Sequence, residues 1–190
     1  HIHQPGIGVG GHCIPVYPHF LISRAPELQI PELARRVNDG QVGHAVQELQ
    51  RELGSLEGVP VLVLGLTYRE NVKELAYSRA IPLIERLRFH GAEVWAYDPL
   101  MSAEEVERLG VRAWHWDEAS PAQAIVVQTG AAEFRALDHA AFPELRVVYD
   151  GRNALRDVAR PERVRYVGVG RGDGTRAGRR LATAGRGAGQ

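Results

Sequence analysis

The run VPVLVLGL at residues 59–66 carries no charged or hydrogen-bonding side chain. A strand with one wet face alternates apolar and polar residues, so an unbroken apolar run needs cover on both faces. The run therefore reads as a strand buried on both faces of its sheet. The segments that follow repeat the demand. GAEVWAYDP, AQAIVVQTG, RVVYDGRN and RVRYVGVG read as further strands, with a short strand near residues 111–114. Between them lie helical patterns at about 78–90, at SAEEVERLG with Ser102 as N-cap and Glu105 closing a capping box, and at EFRALDHAAF. Pro82 is tolerated in the first of these because it falls near the first turn. Strand and helix in alternation predict an α/β, doubly wound parallel sheet.

Such a sheet brings its strand C-termini to one edge, where ligands bind in open α/β folds. That edge is expected to carry residues 65–68, Asp98–Pro99, Thr129–Gly130 and residues 150–153. The loop GLTYRENVKE after the first strand is not G-x-G-x-x-G, so a dinucleotide pyrophosphate has no glycine path to its backbone. It offers Arg69, Asn71 and Lys73 instead, ahead of a helix with Ser78 as candidate N-cap. Cations beside a helix start suit a phosphate; an ordinary polar loop has the same composition. Arg152 is suited to a bidentate anion contact or to plain solvation, and Asp98 to a ribose hydroxyl or to an Asp-Pro turn.

Before the sheet, Ile30, Leu33, Val37, Val42, Val46, Leu49 and Leu53 recur at helical spacings. They predict one long helix from about Phe20 to Leu56, weakened at Gly40 and Gly43. Its apolar stripe fits packing on its own domain or a dimer interface.

The opening stretch HQPGIGVGGHCIPVYPHFL holds the lone cysteine, Cys13. One cysteine forms no internal disulfide, which points to a reducing compartment. With no apolar stretch of transmembrane length and no signal peptide pattern, the expectation is cytoplasmic, with no membrane contact. Lys plus Arg and Asp plus Glu each total 23, so nothing in the net charge argues for nucleic acid. The positions from Arg171 onward hold five arginines against one aspartate and read as a disordered basic tail. His3, His12, Cys13 and His19 match no zinc spacing, so no metal site is expected. Cys13 is open to two readings, a small structural residue or a nucleophile whose flanking glycines admit a substrate.

PGIGVGGHCIPVYPHFL closely resembles the catalytic-cysteine motif of the UDP-glucose/GDP-mannose (nucleotide-sugar 6-) dehydrogenase family. LGLTYRENVKELAYSRA, AYDP and YDGRN resemble later landmarks of its nucleotide-binding domain, in the family's order. The resemblance spans residues 5–168 and implies a Rossmann-like UDP-binding domain over 58–170. It also implies a cysteine loop and part of a central dimerisation helix over 1–57, forming a homodimer, with the basic tail over 171–190. It implies oxidation of a UDP-sugar C6 alcohol to the uronic acid with NAD, through a cysteine thiohemiacetal and thioester. Cys13 takes the nucleophile's place; Gly8, Gly10, Gly11, His12 and Asn38 the sugar's surroundings; Arg69 and Arg152 the UDP. GHCIP is closer to the branch acting on UDP-N-acetylhexosamines than to the UDP-glucose branch. The NAD-binding half is absent from this chain, which begins at His1, so it is expected to be the C-terminal part of the enzyme and inactive alone. The alternative is a non-catalytic UDP-sugar-binding remnant. Two departures stand out: Tyr17 replaces the family's aspartate, and KELAYSR, with Lys73, Ala76 and Arg79, replaces D-D-x-R-x-S-P.

Overall fold

The computed structural model describes residues 4–171. The apolar run forms β1 (Pro60–Leu64), and its alternate side chains go to opposite sides. Val61 and Val63 join one buried cluster, Leu62 and Leu64 the other. The remaining strands are β2 (Glu93–Tyr97), β3 (Arg112–Ala113), β4 (Ala124–Val127), β5 (Val147–Asp150) and β6 (Arg165–Gly168). Every pairing is parallel and the order is β3-β2-β1-β4-β5-β6. The expected parallel α/β sheet is therefore present, with its direction of winding reversing between β1 and β4. At that point Thr129 Oγ1 donates to the Thr67 carbonyl, tying the two strand ends together.

One face is covered by α2 (Gln29–Leu53) and α3 (Ala80–Phe89). Val42, Ala45, Val46 and Leu49 from α2 are buried there beside Leu83 and Leu87 from α3. Each large side chain so buried contributes about 1.5–3 kcal/mol. The other face is covered by loops, where Trp114, Phe134, Phe142, Leu145 and Leu155 supply the bulk. The short α4 (Ala103–Glu107) starts with the expected capping box of Ser102 and Glu105.

Three expectations need correction. The single helix from Phe20 to Leu56 is two, α1 (Tyr17–Arg24) and α2. Ala25 leaves the helical region at φ −138°, ψ 70°, because Pro26 disfavours helical backbone in the residue before it. The helix expected at residues 133–142 is a pair of short 3-10 helices, Ala132–Ala136 and His139–Ala141, with Leu137 and Asp138 extended between them. Ser78 is not the N-cap of α3; that position is Arg79, with no side-chain cap. Ser78 instead donates to the Leu66 carbonyl at 2.6 Å and accepts from the Ala80 amide. Beyond Arg171, the expected disordered tail lies outside the described residues.

Candidate functional site

The glycine-rich loop lies along the C-terminal edge of the sheet and is fastened at several points. Ile7, 2% exposed, is its apolar anchor and packs on Gly151 at the end of β5. Arg152 Nη1 donates to the Gln4 carbonyl at 3.4 Å. The Val9 amide donates to Asn38 Oδ1 at 2.6 Å, and Asn38 Nδ2 donates back to the Val9 carbonyl at 3.3 Å. Asn38 projects from α2, so this reciprocal pair holds the loop to the helix. Gly10 passes so close to the 68–78 loop that a Cβ would stand 2.6 Å from the Tyr77 carbonyl oxygen. A Cβ on Gly11, at φ +90°, would stand 3.1 Å from the Tyr68 ring, and Gly8 passes between Asn38 and Arg79. The three glycines therefore make first a close passage between packed neighbours.

His12 turns toward Glu74 at 3.7 Å and meets the Tyr77 ring edge-on at 5.4 Å. Glu74 is held below its ordinary range by the Ala76 amide first, with His12 adding to the effect. Cys13 follows, exposed, and its carbonyl accepts from the amides of Val16 at 3.2 Å and Tyr17 at 2.9 Å. That turn starts α1. The Cys13 side chain, one helical turn away, holds the Tyr17 phenol above its ordinary range.

Cys13, Tyr17 and Asn38 line one cavity of about 690 Å³ between α1 and α2. Most of its wall is apolar, from Val9, Ile14, Leu21, Pro31 and Ala34. The cation in that wall is Arg35, 9% exposed, which is paired to Asp39 at 2.6 Å. Asp39 also receives Arg79 at 3.5 Å. Burial pulls the Arg79 guanidinium below its ordinary value, Asp39 opposes that shift, and Arg35 reinforces it. This Arg–Asp–Arg bridge joins α2 to the start of α3. Sequence reading missed it, although the i,i+4 spacing of Arg35 and Asp39 was a signal that could have found half of it.

Arg69 and Arg152 do not line the cysteine cavity. Arg69 stands over the Tyr68 ring after β1, and Arg152 follows β5. Lys73, a candidate phosphate ligand, pairs with Glu105 at 2.7 Å. Asp98 does not reach for a ribose. It is 2% exposed and accepts from the Leu66 amide, the amide and hydroxyl of Thr67, and the Leu100 amide. Asp150 plays the same part after β5, accepting from the Arg152 and Leu155 amides and the Tyr166 hydroxyl. Buried carboxylates that organise loops look, in sequence, like ligand-facing ones.

Comparison with known proteins now decides the family. The profile of the UDP-glucose/GDP-mannose dehydrogenase family, UDP binding domain, matches residues 62–157, and that of the family's central domain matches residues 1–40. The chain belongs to the UDP-glucose/GDP-mannose dehydrogenase family. Within it, the chain is 31% identical to the UDP-N-acetyl-D-mannosamine dehydrogenase of Pyrococcus horikoshii, over 90% of this chain and 41% of the relative. It is 36% identical to the UDP-glucose 6-dehydrogenase AglM of Haloferax volcanii, over 85% of this chain and 38% of that one. The solved P. horikoshii UDP-D-ManNAc dehydrogenase superposes with a TM-score of 0.74, covering 90% of this chain and 41% of that structure. The UDP-N-acetyl-mannosamine dehydrogenase Cap5O of Staphylococcus aureus superposes at 0.70 with 30% identity, over 88% and 40%. The chain thus spans about two fifths of these relatives' length.

Proposed function

We propose that this chain supplies the thiol and the nucleotide site of an NAD-dependent UDP-sugar 6-dehydrogenase, acting on a UDP-N-acetylhexosamine or on UDP-glucose. The observation that carries the reading is the course of the cysteine loop, tied to the ends of β1 and β5 at the ligand-binding edge. In this reading residues 58–170 hold UDP, with Arg69 and Arg152 as the diphosphate's cations. Residues 1–57 carry the thiol and a helix for a second copy. Gly8, Gly10, Gly11 and His12 give the loop its path beside the sugar, and Asn38 fixes that path through Val9.

Cys13 acts at the aldehyde stage. Its thiolate attacks the C6 carbon, a C–S bond forms, and the carbonyl pair moves to oxygen, which takes up a proton. The thiol holds a reactive aldehyde between two oxidations. After the second oxidation, water adds to the thioester carbon, the C–S bond breaks, and acid and thiol are released. NAD itself finds no fit among the described residues. The β1–α3 loop lacks the glycines, and the Leu66 and Thr67 amides, where a pyrophosphate would approach, are occupied by the Asp98 carboxylate. Hydride removal is accordingly not assigned to any residue of this chain.

Thermal shift against UDP, GDP and NAD tests the reading. UDP alone is expected to raise the melting temperature; at a hundredfold excess over its Kd a ligand adds about 2.7 kcal/mol. Stabilisation by NAD, or none by UDP, would overturn it. The Tyr17 substitution favours a second reading, a UDP-sugar-binding remnant without catalysis. That reading requires Cys13 to react no faster than a free thiol.

A further inference from the structure

We infer that Arg79 is a positioning residue for the cysteine loop, tying the turn of α2 that holds the loop to the start of α3; this rests on the reading of Cys13 as the nucleophile. Arg79 stands where the family's motif has a proline, so no pattern shared with the family announces it.

The geometry starts from a fixed base. Ser78 donates to the Leu66 carbonyl at 2.6 Å, which pins the start of α3 to the end of β1. Arg79 follows as the first residue of that start, and its side chain, 15% exposed, crosses to α2. Nη2 donates to the Asp39 carbonyl at 3.2 Å, and Nη1 stands 3.5 Å from Asp39 Oδ1. Nε is buried and meets no acceptor, so the two Nη groups make the hold. The same side chain touches the loop. A Cβ on Gly8, at φ +92°, would stand 3.0 Å from Arg79 Nε and 3.0 Å from the Asn38 carbonyl oxygen. Asn38 precedes Asp39 in the chain and grips both polar groups of Val9. Arg79, Asn38 and Gly8 thus meet at one point of the loop, ahead of Cys13.

Charge separates this role from plain support of the fold. Asp39 is shared by two cations. Arg35 holds it at 2.6 Å from within α2, as an i,i+4 pair. Arg79 is the arm that leaves the helix. Its planar fork reaches a carboxylate and a carbonyl together, which the compact ammonium of a lysine does less well. Removing Arg79 leaves Asp39 paired with Arg35, so no charge is stranded without a partner. The apolar contacts between α2 and α3, Val46 and Leu49 beside Leu83 and Leu87, also remain. What is lost is the polar tie at the turn that carries Asn38. A thiol so released matters to the chemistry, because a displacement of about 1 Å can cost roughly a hundredfold in rate.

Arg79→Met keeps the apolar stem and removes the fork. In this chain its Val9 amide is expected to exchange hydrogen roughly five- to tenfold faster than in the wild type, the effect of about one net hydrogen bond. The β1 and β4 amides are expected to keep their protection. Arg79→Lys is expected to fall between the two, since it keeps a charge at Asp39. The Asn38→Ala background separates positioning from general support. There Arg79→Met is expected to add little to Val9 exchange, because the clamp through which it acts is already gone. In the full-length enzyme, Arg79→Met is expected to lower kcat roughly tenfold and to leave KM for the nucleotide sugar unchanged, since the thiol is displaced and the diphosphate's cations are not. Unchanged Val9 exchange in Arg79→Met, a loss of protection in β1 as large as at Val9, or an Arg79→Lys chain no better protected than Arg79→Met would each overturn the inference. So would full additivity with Asn38→Ala, or a raised KM at unchanged kcat. The underlying reading fails separately, if Cys13→Ser in the full-length enzyme still forms the uronic acid.

Discussion

Asp98 and Asp150 each stand at the C-terminal end of a strand, and each satisfies several loop donors at once. Removing Asp98 strands the Leu66 and Thr67 amides in a buried place and frees the half-buried Leu100 amide. Asp98→Ala is therefore expected to cost about 2–4 kcal/mol, read as a fall in the urea midpoint at constant m. Asn38 acts on the loop rather than on the core. Asn38→Ala frees both polar groups of Val9, and the Val9 amide is expected to exchange its hydrogen faster while the β1 and β4 amides keep their protection. At this scale the sequence was a partial guide. Cys13 and its glycines stood out in the sequence as a candidate site, although the composition alone left Cys13 open to a structural or a nucleophilic reading. Asn38 and Asp98 were legible only as polar residues, since their partners lie 29 to 32 positions away.

The apolar stripe of α2 serves two purposes along its length. Toward its C-terminus Val46 and Leu49 are buried against the sheet. Toward its N-terminus Ile30 is 80% exposed, and Leu33 and Val37 are about half exposed. Leu49→Ala is expected to lose about 2–5 kcal/mol, and Ile30→Ser about 0.5 kcal/mol or less, in thermal or urea unfolding of this chain. A large loss in Ile30→Ser that grows with protein concentration would signal a second copy covering that half. The periodicity announced the stripe but not the division, because spacing along a helix reports which face is apolar and not which length of it finds a neighbour. Pro26 did carry a local signal for the break between α1 and α2, through the backbone it imposes on Ala25.

Across the whole molecule, three tyrosines tie stability to alkaline pH. Burial, before any neighbour, raises the phenols of Tyr97, Tyr149 and Tyr166, with Tyr149 pushed up to about 12. Glu133 adds to the effect at Tyr97, Glu48 at Tyr149 and Asp150 at Tyr166. A phenol whose folded pKa lies above its unfolded value of 10.0 contributes stability that is fully present below that value. The contribution is lost as pH rises through the folded pKa. The urea midpoint is thus expected to hold level up to about pH 9 and to fall between about pH 10 and 12. Tyr149→Phe should make that fall shallower.

By itself the sequence determined the α/β alternation, the parallel sheet and the edge at which a ligand site would lie. Those features follow from local period, turn residues and the need to cover an apolar strand on both faces. Only the tertiary structure decided that α2 divides its stripe, that Asp98 and Asp150 turn inward, and that Asn38 ties the cysteine loop to the helix. It also placed Cys13 and Tyr17 in the wall of one cavity between α1 and α2. The physical reason is range. A side chain's burial is written into its neighbours' pattern, whereas the donor that a polar group meets is chosen by how distant segments come together.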